Sequence, residues 1–483
     1  MTARSCRRLT LFPLCLTLVS TALVPSLALA ADKTADKTAD KKPAKERPFE
    51  PPDLYASTYK PLPSRPTLIT NATVLTAAGE RIEGGAVLMR DGKIAAVGRQ
   101  LPLPAGAVVI DARGKWVTPG VIDAHSHLGV YASPEVDAHS DGNEITDPVT
   151  ADVWAEHSIW PQDPQIPLAL AGGVTAQHIL PGSANLIGGR SVTVKNVLGR
   201  SAEDMKFPGA PYGLKMACGE NPKRTYGTEK GRFPSTRMGN IAGTRAAWAE
   251  ALDYRQEWAE YQSEKDAGKD ESPPERDLEM ESLLGVLDGK ILVQNHCYRA
   301  DEMLEMIQVA REFGYKIAAF HHAVEAYKIA DVLAENGICA ALWADSWGFK
   351  MEAFDGIREN VALVDHAKNG CAIVHSDSAL GIQRLNQEAG KSMAAGRRMG
   401  FPLREEDAIR WITINPAKAL GIAKQTGSLE PGKMADVVIW SGNPFSVYSK
   451  AEQVYIDGAL VYDRNDPARQ PRTDFSLGLG GAQ

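Results

Sequence analysis

Seven short apolar runs, each followed by polar or helical sequence, constrain this chain more than any other feature. They span residues 116–127, 173–180, 212–220, 290–298, 316–322, 337–345 and 371–377. Between two of them, residues 301–313 bring Met303, Leu304, Ile307 and Ala310 onto one helical face, and residues 325–335 do the same with Ile329, Val332 and Leu333. Repeated strand–helix units of this length imply an α/β protein with a parallel sheet. Seven strands plus a fainter one near residues 191–197 predict a TIM (β/α)8 barrel over residues 118–425.

On the N-terminal side of the barrel, residues 67–75, 85–89, 94–98 and 108–111 form short β-branched runs, with Asp91-Gly92 as a hairpin turn. On the C-terminal side, residues 434–440 and 453–461 return to strand patterning around a Gly458 turn. The two ends, 63–117 and 426–465, are therefore expected to join in a small accessory β-sandwich, leaving 466–483 as a tail. Residues 244–284 read as an exposed insertion, helical at first and then highly charged around Pro273-Pro274.

With 44% hydrophobic and 23% charged residues, the 483-residue chain has a folded rather than a disordered composition. Its net charge of −7 excludes the basic footprint of a nucleic-acid binder. Arg4, Arg7 and Arg8 precede an apolar run over 9–29, and Ala28-Leu29-Ala30 closes it, the pattern of a cleavable secretory signal over residues 1–30. Pro13 and Pro25 interrupt the run and argue against a stable membrane span, so a periplasmic or secreted location is expected. Losing those three arginines takes the net charge to −10. The Ala-Asp-Lys-Thr repeats and Lys/Pro-rich sequence that follow make residues 31–62 a low-complexity linker. Cys218, Cys297, Cys339 and Cys371 remain; export permits disulfides, but each lies in or beside a short apolar run, and buried thiols are the expectation.

The chemistry gathers at strand ends. His125 and His127 close the first barrel strand, and residues two apart on a strand share a face, so both can reach one metal ion. Glu220, His296, the pair His321-His322 and Asp377 close later strands at the barrel face where catalytic groups collect. Only one of two consecutive strand residues points inward, and His322, the later, is the nearer to the mouth. His178 and the residues just beyond two of these ends, Arg224, Tyr226 and Tyr298, are candidate substrate contacts. His139, His157 and His366 fall outside the pattern.

Val117-Thr-Pro-Gly-Val-Ile-Asp-Ala-His-Ser-His127, Ser376-Asp377-Ser378, Asn415-Pro-Ala-Lys-Ala-Leu-Gly-Ile422 and Gly427-Ser-Leu-Glu-Pro-Gly-Lys-Met-Ala-Asp-Val-Val438 together resemble the amidohydrolase superfamily. Residues 173–175 and 325–328 resemble its branch related to imidazolonepropionase and to exported or membrane-linked Xaa-Pro dipeptidases. The resemblance implies one or two divalent metals, usually zinc. His125, His127 and Asp377 would hold one ion, and His296 with His322 or His321 the other. The bridging ligand would be Glu220, favoured by its place at a strand end, or a carboxylated Lys215. Metal-activated water would attack the substrate, Asp377 would carry its proton to the leaving nitrogen, and the histidine not used as a ligand would help polarise the carbonyl. The implied substrate is a small molecule or short peptide cleaved at a C–N bond of an amide, cyclic amide or dipeptide. An ester or phosphotriester hydrolase, or a binding protein that keeps only the barrel, are the competing readings. The region around Lys433 leaves a homo-oligomer open.

Overall fold

The computed structural model describes residues 55–346 and 348–471. The expected signal segment, the linker up to residue 54 and the tail beyond residue 471 lie outside the described residues. Eight strands form the barrel sheet and lie side by side in chain order: Val121–Ser126, Val174–Ile179, Ile187–Lys195, Gly213–Ala217, Leu292–Cys297, Ile317–His322, Cys339–Leu342 and Ala372–Val374. The third departs from the all-parallel expectation, running antiparallel to both neighbours. The reason is the connection at residues 180–186, which is far shorter than the dozen or so residues a parallel crossover needs. Closure comes from the seam between the first and eighth strands. There the Asp377 amide donates to the His125 carbonyl (3.0 Å), while Ile122 and Val374 donate to Ile412 and Trp411.

The two chain ends build a second eight-stranded sheet. Trp116–Pro119 pairs with Thr67–Leu75 on one side and antiparallel with Val437–Trp440 on the other, which carries Ala451–Ile456 and Ala459–Asp463 beyond it. A buried ionic cluster ties this sheet to the barrel. Lys195, at the end of the third barrel strand, meets Asp457 at 2.7 Å and Asp436 at 3.3 Å, and the hydroxyls of Tyr59 and Thr426 donate to the same two carboxylates. The ammonium and a hydroxyl donor at each carboxylate are what make such burial tolerable.

The region expected to be an exposed insertion is mostly structural. Arg237–Asp266 is one long helix that buries Gly243, Ala247, Trp248 and Ala251, and Trp248 packs on Tyr315 with ring centroids 4.4 Å apart. The following helix, Leu278–Leu287, is capped by the Asp277 carboxylate. The charged link 267–277 between them is exposed, as are the last turns of the long helix, because neither has an apolar face to bury.

The cysteines form two disulfides rather than buried thiols: Cys218–Cys297 and Cys339–Cys371. Register explains both pairs. Ala217 lies opposite His296 and Ala340 opposite Ala372, so each cysteine pair falls at matching positions on neighbouring parallel strands. The bridges close loops of 79 and 32 residues, and chain-entropy arguments assign each roughly 4 kcal/mol of stabilisation. Replacing either pair with alanines is therefore expected to lower the unfolding free energy by a few kcal/mol in denaturant titration, and thiol reduction of the native protein should lower its melting temperature.

Candidate metal centre

Strand alternation turns Asp123 and His125 into the barrel, and His127, just past the strand end, completes the row at the mouth. Across the seam the eighth strand continues into His375, Ser376 and Asp377, where a positive φ of 48° at Asp377 turns its carboxylate towards the histidines. The Nε2 atoms of His125 and His127 face each other at 3.3 Å, and Asp377 Oδ1 lies 3.2 Å from His127 Nε2 and 3.5 Å from His125 Nε2. A tetrahedral site with metal–ligand distances of about 2.0–2.1 Å has ligand–ligand edges of about 3.3–3.4 Å. The three atoms already stand at that spacing.

The other nitrogen of His127, Nδ1, donates to the Leu180 carbonyl at 2.9 Å, which leaves Nε2 as a bare lone pair. Burial, reinforced by the Lys215 charge and by neighbouring imidazoles, holds His125, His296, His321 and His322 well below the usual histidine range. These rings are neutral at physiological pH, the form that binds a metal. Asp377 ends below the usual carboxylate range: burial pushes it up, but the adjacent His127 and His375 rings and the Lys215 charge outweigh that.

His375 is the residue that sequence reading missed. It stacks on His125 (5.2 Å) and forms with His125 and His322 a second group able to hold a cation, and both its ring nitrogens are buried without a hydrogen-bond partner. Its signal was present, since His375-x-Asp377 repeats the two-residue spacing of His125-x-His127.

The rule that only one of His321 and His322 can point inward fails here. His321 Nδ1 sits 2.9 Å from His125 Nδ1, deeper in the barrel, while His322 adopts φ 69°, ends the strand and swings its own ring inward. Its Nε2 comes to 3.9 Å from Asp377 Oδ2, and Trp343 stacks on its outer face at 4.2 Å. His296 joins the group, its ring 4.7 Å from that of His322 and its Nδ1 buried without a partner.

Glu220 does not join. The strand ends at Ala217, Gly219 turns the chain with φ 82°, and Glu220 opens a short helix at the rim, 3.3 Å from the Lys350 ammonium. Lys215 instead lies fully buried among the imidazoles, its Nζ donating to the Pro181 carbonyl at 2.9 Å. Burial lowers its pKa to about 7.

Of the expected substrate contacts, Tyr298 alone flanks the imidazoles, edge-on to His296 at 4.6 Å. His178 has both nitrogens committed, to Thr193 and Ser191, and Tyr226 is buried with its hydroxyl donated to the Asp147 carbonyl at 2.6 Å. Arg224 is largely exposed and pairs with Glu229. A cleft of about 510 Å³ lined by His127, Tyr131, Glu135, His139, Asp377 and Ser378 opens onto the centre.

Residues 362–466 match the model of the amidohydrolase family. The solved structure of an amidohydrolase from Thermotoga maritima is 39% identical, with a TM-score of 0.75, over 82% of this chain and 100% of that one. A protein named amidohydrolase tasK from Hapsidospora irregularis is 34% identical over 83% of this chain, which spans only 43% of that relative's length. An imidazolonepropionase from Mesorhizobium japonicum is 24% identical over 77% of this chain and 89% of its own.

Because the Tyr226 hydroxyl is spent on a backbone carbonyl, Tyr226→Phe is expected to cost about 1 kcal/mol of stability, measured by denaturant titration, and to leave any metal content of the dialysed protein unchanged.

Proposed function

Since this chain belongs to the amidohydrolase family, we propose that it is a metal-dependent hydrolase that cleaves a C–N bond in a small amide, cyclic amide or dipeptide-like substrate. The observation that carries the reading is the convergence of two imidazole nitrogens and one carboxylate oxygen at 3.2–3.5 Å, a cluster of lone pairs that a cation would stabilise. His125, His127 and Asp377 would hold a divalent ion, with His322 and His375 on its other side. Zinc suits this nitrogen-rich donor set. A divalent ion there supplies Lewis acidity, making water a nucleophile at neutral pH and polarising the substrate carbonyl.

The rest belongs to the protein. Asp377 Oδ1 faces the two histidines, while Oδ2 is turned to the His322 side, where it can accept a proton from attacking water and return it to the leaving nitrogen. His322, braced by Trp343, and the Tyr298 ring wall the position where the carbonyl would rest. A second ion, if bound, would be held by Lys215 in its carboxylated form rather than by Glu220, because Lys215 lies among the imidazoles and Glu220 is paired with Lys350 at the rim. The names of the relatives, amidohydrolase and imidazolonepropionase, favour amide over ester substrates.

Two disulfides support an exported, oxidising location for the working enzyme, in keeping with the signal-like residues 1–30. Among the described residues no helix is long and apolar enough to cross a membrane.

The reading is tested with a panel of lactams and dipeptides, run beside aryl esters and phosphotriesters, on zinc- or manganese-loaded protein. Amide hydrolysis that a chelator abolishes is expected, and dominant phosphotriester turnover would refute the assignment. Asp377→Asn should lower kcat by about 10²–10⁴-fold with the fold intact. Lys215→Met should lower the metal content of a two-ion enzyme, whereas Glu220→Gln should not.

A further inference from the structure

We propose that Gln294 and His321 are positioning residues that place the proton of His125 on Nδ1, so that its Nε2 lone pair faces His127 and Asp377. The inference rests on the metal-centre reading and deepens it: it concerns how the chain prepares one ligand, not which residues are ligands.

The Ala419 carbonyl oxygen can only accept a hydrogen bond, and Gln294 Nε2 lies 3.1 Å from it. The amide nitrogen of Gln294 therefore points at Ala419, and its oxygen, Oε1, points the other way, 2.8 Å from His321 Nε2. An amide oxygen is also only an acceptor, so His321 Nε2 carries the proton. A neutral imidazole has one N–H, which leaves His321 Nδ1 as a lone pair. That lone pair faces His125 Nδ1 at 2.9 Å, and a hydrogen bond between two ring nitrogens needs one donor, so His125 carries its proton on Nδ1. His125 Nε2 is left bare, and it is this atom that stands 3.3 Å from His127 Nε2.

The chain of four groups has a fixed sense, set at its far end by a backbone carbonyl. Ala419 is the last residue of the helix Ile414–Ala419, where carbonyls lack a partner within the helix and are free to accept. The Asn415-Pro-Ala-Lys-Ala segment, which contributes no side chain to the centre, thereby anchors its protonation pattern from the floor of the barrel. His127 reaches the same state by a shorter route, through Leu180. Every member of the relay is buried, so no water competes for these hydrogen bonds.

Two measurements test this. Zinc is titrated into the chelator-stripped full chain against a chromophoric competitor, for the native protein and for Gln294→Leu, which keeps the bulk and removes the acceptor. Gln294 acts on His125 through His321, and disturbing the outer partners of a metal-binding histidine typically weakens binding by about 10–100-fold; a loss of about 10-fold is expected here. Circular dichroism melts of the stripped proteins establish that the variant is folded. Independently, nitrogen-15 NMR of the stripped native protein labelled at histidine, with signals assigned by single substitutions, should find the proton of His125 on Nδ1 and that of His321 on Nε2. A merely structural role for Gln294 predicts neither the tautomer pair nor its dependence on the acceptor. Native-like zinc binding by folded Gln294→Leu, or a proton on His125 Nε2, overturns the relay and leaves the metal centre standing. Failure of the native chain to take up zinc or manganese overturns both. Should the variant not fold, the tautomers of the native protein decide alone.

Discussion

Asp123 holds the seam on which the rest of the barrel interior depends. Its buried carboxylate accepts the amides of His125 (3.1 Å) and Ser376 (3.2 Å) and the hydroxyl of Ser376, so one side chain staples the first strand to the segment that follows the last. Burial, helped by the Asp377 charge, drives its pKa up to about 7 against the pull of these three donors. The carboxylate is kept only because each donor is in place, and loss of one would strand a buried acceptor at a cost of about 1–3 kcal/mol. That staple fixes how His125-x-His127 and His375-x-Asp377 meet at the seam. With it, they face each other across a single hydrogen bond, from the Asp377 amide to the His125 carbonyl.

The same strands carry two chemistries on their two faces. Inward positions hold Lys215, His125, His296 and His321, while outward neighbours such as Leu214, Met216 and Val293 pack in the main apolar core. Cys218 and Cys297 fall on the apolar side, one residue past Ala217 and His296, and bridge the fourth and fifth strands where His296 projects. The protein can therefore stiffen the scaffold around a ligand without placing sulfur near the metal position.

This division explains what could be read from the sequence and what could not. Strand order, the accessory sheet and the ligands at strand ends follow from periodicity and spacing, because a buried parallel strand has to be apolar outward and may be polar only inward or at its tip. What failed were inferences that needed exact strand ends. Carrying the fourth strand to Glu220 put that residue at the mouth, but the strand stops at Ala217 and the turn at Gly219 moves Glu220 to the rim. Strict alternation allowed one of His321 and His322 inside; the left-handed conformation of His322 brings in both. The disulfides and the direction of the third strand depend on register and on pairing between distant segments, which a local pattern does not encode. His375 was legible all along, hidden beside the more conspicuous Asp377.

Charge balance in the interior bears on how many ions the centre can hold. Asp377 faces the imidazoles with one negative charge, and the carboxylate of Asp123 is spent on the seam. One divalent ion among neutral histidines leaves a site of net charge +1 with Asp377, which the surrounding lone pairs can sustain. A second ion raises that to +3, before any charge on Lys215, in a region where burial already depresses the lysine. Glu220 cannot compensate from the rim while it is paired with Lys350. Carboxylation of Lys215 would exchange a potential positive charge for a negative one among the imidazoles and bring a two-ion site from +3 down to +2. The number of divalent ions such a centre could hold would thus turn on the chemical state of a single lysine.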